Sequence, residues 1–138
     1  GKWKFKLMDG NEIGNYVFVD DVAIGHILAM KNGKSGERYI LGGENSTFNE
    51  FMGIVSEVSG VKTRLIKIPF WALASFAKYS DFMSKFGIEP KATYAWVKKY
   101  KANWTTSIEK AQKELGYKPR NLREGIKETV DWIKSEKK

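Results

Sequence analysis

Asn103 to Pro119, NWTTSIEKAQKELGYKP, packs a short aromatic-polar strand, an amphipathic helix and a hard stop into one stretch. Thr106 followed by Glu109 has the spacing of a capping box, in which the hydroxyl accepts an orphan amide and the carboxylate reaches back. Helix entry is therefore expected near Thr106. Ile108, Ala111, Gln112 and Leu115 fall at i, i+3, i+4 and i+7, a mainly apolar stripe, while Glu109, Lys110 and Lys113 face water. Gly116 and Pro119 end the helix. The glycine can take the left-handed conformation that satisfies the last carbonyls, and the proline blocks resumption.

Towards the C-terminus, Asn121 with Glu124 starts a last helix whose stripe is Leu122, Ile126, Val130 and Ile133, with Trp132 beside it. Towards the N-terminus, Ala92 to Tyr100 reads as a short helix bearing Tyr94, Trp96 and Val97. It follows a long one, Phe70 to about Phe86, broken by Gly87 and Pro90. That long helix is apolar around much of its circumference, so it is expected to need more than one partner surface.

The first half of the chain alternates strands and helices. KWKFKLM (residues 2 to 8) alternates aromatic or aliphatic with lysine, the pattern of a half-buried strand, and NYVFV (residues 15 to 19) reads as a second. The turn signal Asp9-Gly10-Asn11 between them makes a hairpin the local expectation. Asp20 or Asp21 can cap the following helix, which carries Ala23, Ile24, Ile27, Leu28 and Met30 and closes at Asn32-Gly33. ERYIL (residues 37 to 41) reads as a third strand, and Gly42-Gly43 as a tight turn into a helix capped by Thr47 with Glu50 and running to about Val58. Thr63 to Ile68 is a fourth strand, stopped by Pro69. This order predicts α/β layering with helices dominating the C-terminal half.

At 138 residues the chain has material for one domain or part of one, and with 42% hydrophobic and 14% aromatic residues it should be globular. The absence of cysteine excludes disulfides and thiolate metal sites and is compatible with a reducing cytoplasm. The longest uncharged apolar run, Ile68 to Ala77, is about half a bilayer span, so a membrane partner is not expected. The +8 formal charge could indicate nucleic acid, but lysines are spread from Lys2 to Lys138, which argues for a solvated basic surface or an anionic small-molecule site.

The opening stretch, with NYVFVDDVAIGHILAM (residues 15 to 30), GERYILGGEN (residues 36 to 45) and EGIKETVDWI (residues 124 to 133), resembles the C-terminal portion of extended short-chain dehydrogenase/reductases. The likeness covers nearly the whole chain. It is greatest to the NAD-dependent epimerase/dehydratase group and its dihydroflavonol-reductase-like branch. The resemblance implies the C-terminal part of a Rossmann-like sheet (residues 15 to 68) and a mainly helical substrate-binding lobe (residues 69 to 138), with the N-terminal dinucleotide-binding half absent. It further implies an intact parent that uses NAD or NADP on a sugar-nucleotide or flavonoid-like carbonyl or alcohol. This chain alone would bind no cofactor and be inactive. Either that missing half or a second copy should cover the apolar surface left open.

The family's glycine-rich dinucleotide turn and its Tyr-x-x-x-Lys pair do not occur in the required order. Tyr94 and Lys98 have the spacing, but they follow Asp20-Asp21-Val22-Ala23 rather than precede it, and read as a chance helical pair. No catalytic residue and no metal ligand is therefore assigned. His26, the only histidine, reads as a packing or supporting residue on its helix. The resemblance leaves Asn15, Lys98, Lys101 and Asn103 as candidate substrate contacts, able to hold a phosphate or hydroxyl by charge-assisted hydrogen bonds. A stand-alone binding or assembly domain without redox chemistry is the competing reading, and a basic nucleic-acid module the third.

Overall fold

A computed structural model describes residues 5–62, 65–90 and 92–136. Among these, the elements follow in the order β1 (Phe5–Leu7), β2 (Ile13–Tyr16), α1 (Val19–Asn32), β3 (Glu44–Thr47), α2 (Phe48–Ser59), β4 (Ile66–Ile68), α3 (Phe70–Ser84), α4 (Tyr94–Lys99), α5 (Glu109–Leu115) and α6 (Leu122–Ser135). They divide into two compact units. The first comprises Gly1–Glu12 and Lys62–Asn103, the second Ile13–Val61 and Trp104–Lys138.

In the first unit β1 and β4 pair in parallel, Phe5 with Ile66, Lys6 with Lys67 and Leu7 with Ile68. The Met8 amide extends the ladder to the Ile68 carbonyl at 3.0 Å. The expected hairpin does not form, because each of its strands finds another partner: β2 pairs antiparallel with β3. Part of the expected first strand (Lys2, Trp3 and Lys4) and of the fourth (Thr63 and Arg64) lies outside the described residues, as do the side chains of Phe5 and Leu7. Pro69 stops β4 and caps α3, its fixed φ of −68° feeding the first turn. α3 lies against α4, with Ala74, Ala77, Ser80 and Val97 buried. The Asp81 carboxylate accepts the Tyr94 amide at 2.9 Å, fixing the start of α4. The large side chains of α3 do not find the several partner surfaces expected of them. Small residues occupy its buried face, and Trp71, Phe76, Tyr79 and Phe82 are exposed.

The second unit is organised around Ala111, Leu115 and Tyr117, packed against Leu28, Ala29, Tyr39, Leu41 and Ile108. The capping box read at Thr47 with Glu50 forms, the helix start read at Asn121 with Glu124 is closed by a capping box as well, and Gly60 and Gly116 both take left-handed conformations, φ 72° and 74°. The box at Thr106 does not. α5 begins three residues later at Glu109 with Ile108 as its cap, and the Ser107 hydroxyl accepts the Glu109 amide at 3.4 Å. Thr106 is used instead by its main chain, which exchanges hydrogen bonds with the Asn45 side chain at 3.1 and 3.0 Å. Residues 37–41 carry no strand ladder. They are held by side chains: Tyr39 and Leu41 pack on the core, the Tyr39 hydroxyl donates to Glu114 at 2.9 Å, and Lys110 pairs with Glu37 at 2.5 Å.

Neither aspartate caps α1. Phe18 occupies the cap position, and Asp21, 4% exposed, turns inward. Its carboxylate accepts the Arg120 amide and the Arg120 guanidinium, each at 3.0 Å. The same guanidinium bonds Glu128 at 2.5 Å and stacks 4.5 Å from the Phe18 ring. Removing one member of a buried pair strands the other charge. Asp21→Ala should therefore lower unfolding stability by about 3 kcal/mol, measured by urea denaturation. Lys110→Gln, which deletes an exposed pair, should leave the midpoint nearly unchanged. Equal small shifts in both would refute the assignment.

Candidate functional site

Two polar constellations stand out, one in each unit. In the second unit, Asn15 sits opposite Asn45 in the β2–β3 ladder. Its Oδ1 accepts the Gly43 amide at 2.9 Å, while Nδ2 donates to the Gly43 carbonyl at 3.1 Å and to Asn45 Oδ1 at 2.9 Å. Both amide protons of Asn15 are thus engaged within the fold, so the side chain acts as a splice between β2 and the segment entering β3. The two glycines are needed for this closeness. A Cβ on Gly42 would lie 2.6 Å from Asn15 Oδ1, and one on Gly43 2.1 Å from the Tyr16 carbonyl oxygen. Beside them the Thr106 hydroxyl is buried without a hydrogen-bond partner. Gly42-Gly43 is a site of chain-to-chain approach; its space is filled by Asn15 and Tyr16, and it does not fit a pyrophosphate cradle.

In the first unit a cleft of about 450 Å³ is lined by Met8, Asp9, Glu12, Lys67, Pro69, Phe70 and Lys101. The parallel pairing of β1 with β4 creates it, since the segment after β1 and the Pro69 corner after β4 then leave the ladder side by side. Lys101 lies with its ammonium 4.1 Å from the Phe70 ring centroid, a cation–π contact that holds the charge at the wall. Lys67 pairs with Asp9, and the Lys6 ammonium donates to the Asp9 carbonyl at 3.1 Å. The Lys67 hydrogen bond and charge hold the Asp9 carboxyl below its ordinary range. The cleft therefore combines two ammonium groups, two carboxylates and an apolar wall, a surface that can seat an anionic or hydroxyl-rich small molecule. It contains no histidine and no Tyr–Lys pair, and no group of three or more potential metal ligands occurs among the described residues.

Of the four residues selected from sequence, Lys101 alone lines this cleft. Asn15 lies in the other unit, Lys98 is exposed on α4, and Asn103 is exposed at the end of the first unit's chain segment. Asp9, Glu12, Lys67 and Phe70 were not selected. The turn signal at Asp9-Gly10-Asn11 and the Ile66-Lys67-Ile68-Pro69 corner were both visible, but nothing local announced that they adjoin. His26 is exposed and its Nδ1 lies 2.8 Å from the Val22 carbonyl of its own helix, so the packing role expected for it is not found.

No protein-family model matches the chain. It is 29% identical over 126 residues to a Synechocystis sp. protein provisionally named dihydroflavonol 4-reductase, covering 88% of this chain and 37% of that one. It is 31% identical over 150 residues to the decarboxylating sterol-4-alpha-carboxylate 3-dehydrogenase of Schizosaccharomyces pombe, covering 100% of this chain and 44% of that enzyme. The solved structure of gox2253 superposes with a TM-score of 0.74 at 40% identity, over 91% of this chain and 38% of that one. The chain thus spans less than half the length of each. The Bacillus cereus UDP-glucuronic acid 4-epimerase and the Bordetella bronchiseptica enzyme WbmF, both solved with NAD bound, share the fold at 22 to 23% identity, with TM-scores of 0.60 to 0.62.

The architecture is that of the C-terminal part of a Rossmann-like α/β enzyme. Over most of its length the chain is similar to members of the short-chain dehydrogenase/reductases and of the NAD-dependent epimerase/dehydratase group, each of which it covers only in part, as the sequence resemblance implies.

Because Lys67 lowers the Asp9 pKa, the carboxylate should titrate with a midpoint below the ordinary 3.8. Any stability it contributes is present above that value and fades as pH falls through the lowered midpoint. Carbon-detected NMR titration should show Lys67→Gln returning the midpoint toward 3.8. A midpoint unmoved by the substitution would mean that the pair does not form in solution.

Proposed function

We propose that this chain supplies the substrate-binding part of an NAD(P)-dependent epimerase/dehydratase or reductase acting on a sugar-nucleotide or flavonoid-like carbonyl or alcohol. The observation that carries the reading is the Lys67–Lys101–Phe70 cleft in a chain similar to members of this family. An ammonium held over an aromatic wall suits a ligand with an anionic or hydroxyl-bearing end and a flat body. Lys98 and Asn103 are proposed as further contacts, made once substrate is bound. Asn15 is proposed to act at one remove, by holding the β2–β3 register. NAD or NADP would carry the hydride in the longer protein, and a cytoplasmic location fits the absence of cysteine.

Because the glycine pair present is filled by Asn15 and Tyr16, no step of the reaction is assigned to this chain, and alone it is proposed to be inactive. On α1, Val19, Ile24, Ile27 and Met30 are exposed, Met30 by 87%, and form an apolar surface suited to a dinucleotide-binding half or to a second copy. The alternative of a stand-alone binding domain shares the cleft but needs no such cover.

Calorimetric titration with a uridine diphosphate sugar and, separately, a flavonol should give weak binding to one of them. Lys67→Ala and Lys101→Ala should each weaken it at least about threefold. Reduced nicotinamide fluorescence should not change on adding this chain, and should change with a longer protein that carries a glycine-rich half. Binding of neither ligand, or binding indifferent to both lysines, would sink the substrate reading. Sedimentation of the chain at high concentration should show self-association weakened by Ile27→Lys, and a clean monomer would remove the second-copy reading.

A further inference from the structure

The charge of the chain is divided unequally between its two units. The first holds twelve basic and four acidic residues and so carries the entire +8, whereas the second holds twelve of each and is neutral. The same basic unit displays an aromatic stripe. On α3, Ala74, Ala77 and Ser80 face inward, and Trp71, Tyr79, Phe82 and, just past the helix end, Phe86 face outward, 72%, 62%, 55% and 67% exposed. At 3.6 residues per turn these four positions fall within roughly one quarter of the helix circumference, with Lys78 and Lys85 along one border. The Phe82 and Phe86 rings meet edge to face at 5.4 Å, and the Lys78 ammonium lies 5.1 Å from the Tyr94 ring, at the rim.

We infer that this unit docks peripherally, through the α3 stripe, on an anionic lipid bilayer. The inference goes beyond the proposed reaction and does not depend on it. Trp and Tyr rings favour the headgroup level, Phe rings the acyl boundary just below it, and lysines bordering the stripe meet lipid phosphates. Single-stranded nucleic acid is the weaker fit, because it calls for a groove with stacked platforms, whereas these rings ride the outer face of one helix and two of them carry no polar atom. The expectation of no membrane partner rested on the lack of a spanning segment. No described helix is long and apolar enough to cross a membrane, but lying on the interface does not require one.

The test is co-sedimentation of the 138-residue chain with vesicles of phosphatidylcholine alone and with about 30% phosphatidylglycerol. The chain should pellet with the anionic vesicles only, release in high salt, and shift its tryptophan emission to the blue on binding. Lys78→Glu with Lys85→Glu should weaken partitioning by about tenfold or more. Trp71→Ser with Phe82→Ser should do the same by removing apolar contact. All four positions are exposed, so circular dichroism should be unchanged, and the salt dependence of the parent chain tests the inference without any variant. The inference is overturned if the chain stays in solution with anionic vesicles at low salt, or pellets equally after loss of Trp71 and Phe82. It is also overturned if sedimentation or RNA titration shows the aromatic pair serving a dimer or RNA while vesicles are ignored.

Discussion

The buried carboxylate of Asp21 is the point on which the second unit depends. It joins the first turn of α1 to residue 120, using one oxygen for a main-chain amide and the other for a guanidinium. Three further contacts tie neighbouring segments of the same unit: the Asn32 side chain donates to the Leu115 carbonyl at 3.2 Å, the Tyr117 hydroxyl donates to the Gly42 carbonyl at 3.0 Å, and Gly25 leaves room for the Leu41 and Tyr117 side chains. Burial, and then the Asp21 charge, push the Tyr117 phenol above its ordinary range, which keeps its proton available for Gly42. The Val-Asp-Asp-Val-Ala segment (residues 19–23) is therefore bonded to Arg120, the residue directly after the Leu-Gly-Tyr-Lys-Pro segment (residues 115–119).

Local chemistry in the sequence was enough to locate helix ends wherever the capping partner was also local. Thr47 with Glu50 and Asn121 with Glu124 close their boxes with partners three residues apart, and the Ser46 hydroxyl adds a further bond to Glu50 at 2.8 Å. At Thr106 a distant residue competes: Asn45 takes the main chain of Thr106 into its own hydrogen bonds, and the helix starts later, at Glu109. ERYIL fails as a strand for a related reason. Tyr39 and Leu41 both pack on the core, but a strand needs a neighbouring edge, and sequence composition does not say whether one is there.

The candidate site was less legible than the fold. Lys101 could be chosen by resemblance, yet the residues that give it surroundings come from two segments, distant in sequence, that meet through the parallel pairing of β1 with β4. Such a ladder leaves no turn signal between its strands, in contrast to a hairpin. Asn15 shows the reverse difficulty. A polar residue on a strand reads as available for a ligand, and only the close approach of Gly43 shows its amide to be spent on the backbone.

The two units balance their charges by different means. In the second, Asp21 with Arg120, Glu57 with Arg123 at 2.6 Å and Glu37 with Lys110 form pairs within one neutral body, and Arg123 holds the Glu57 carboxyl below its ordinary range. In the first, four carboxylates face twelve cations, so at least eight must be balanced by something outside that unit whatever pairs form. Salt ions can do this, but screening over about 8 Å at physiological strength is general and rewards no particular surface. A fixed anionic array gains more, because cations brought to it release bound counterions and act together. The inverted packing of α3, with small residues inside and rings outside, supplies the apolar half of such a surface on the same unit that holds the excess charge.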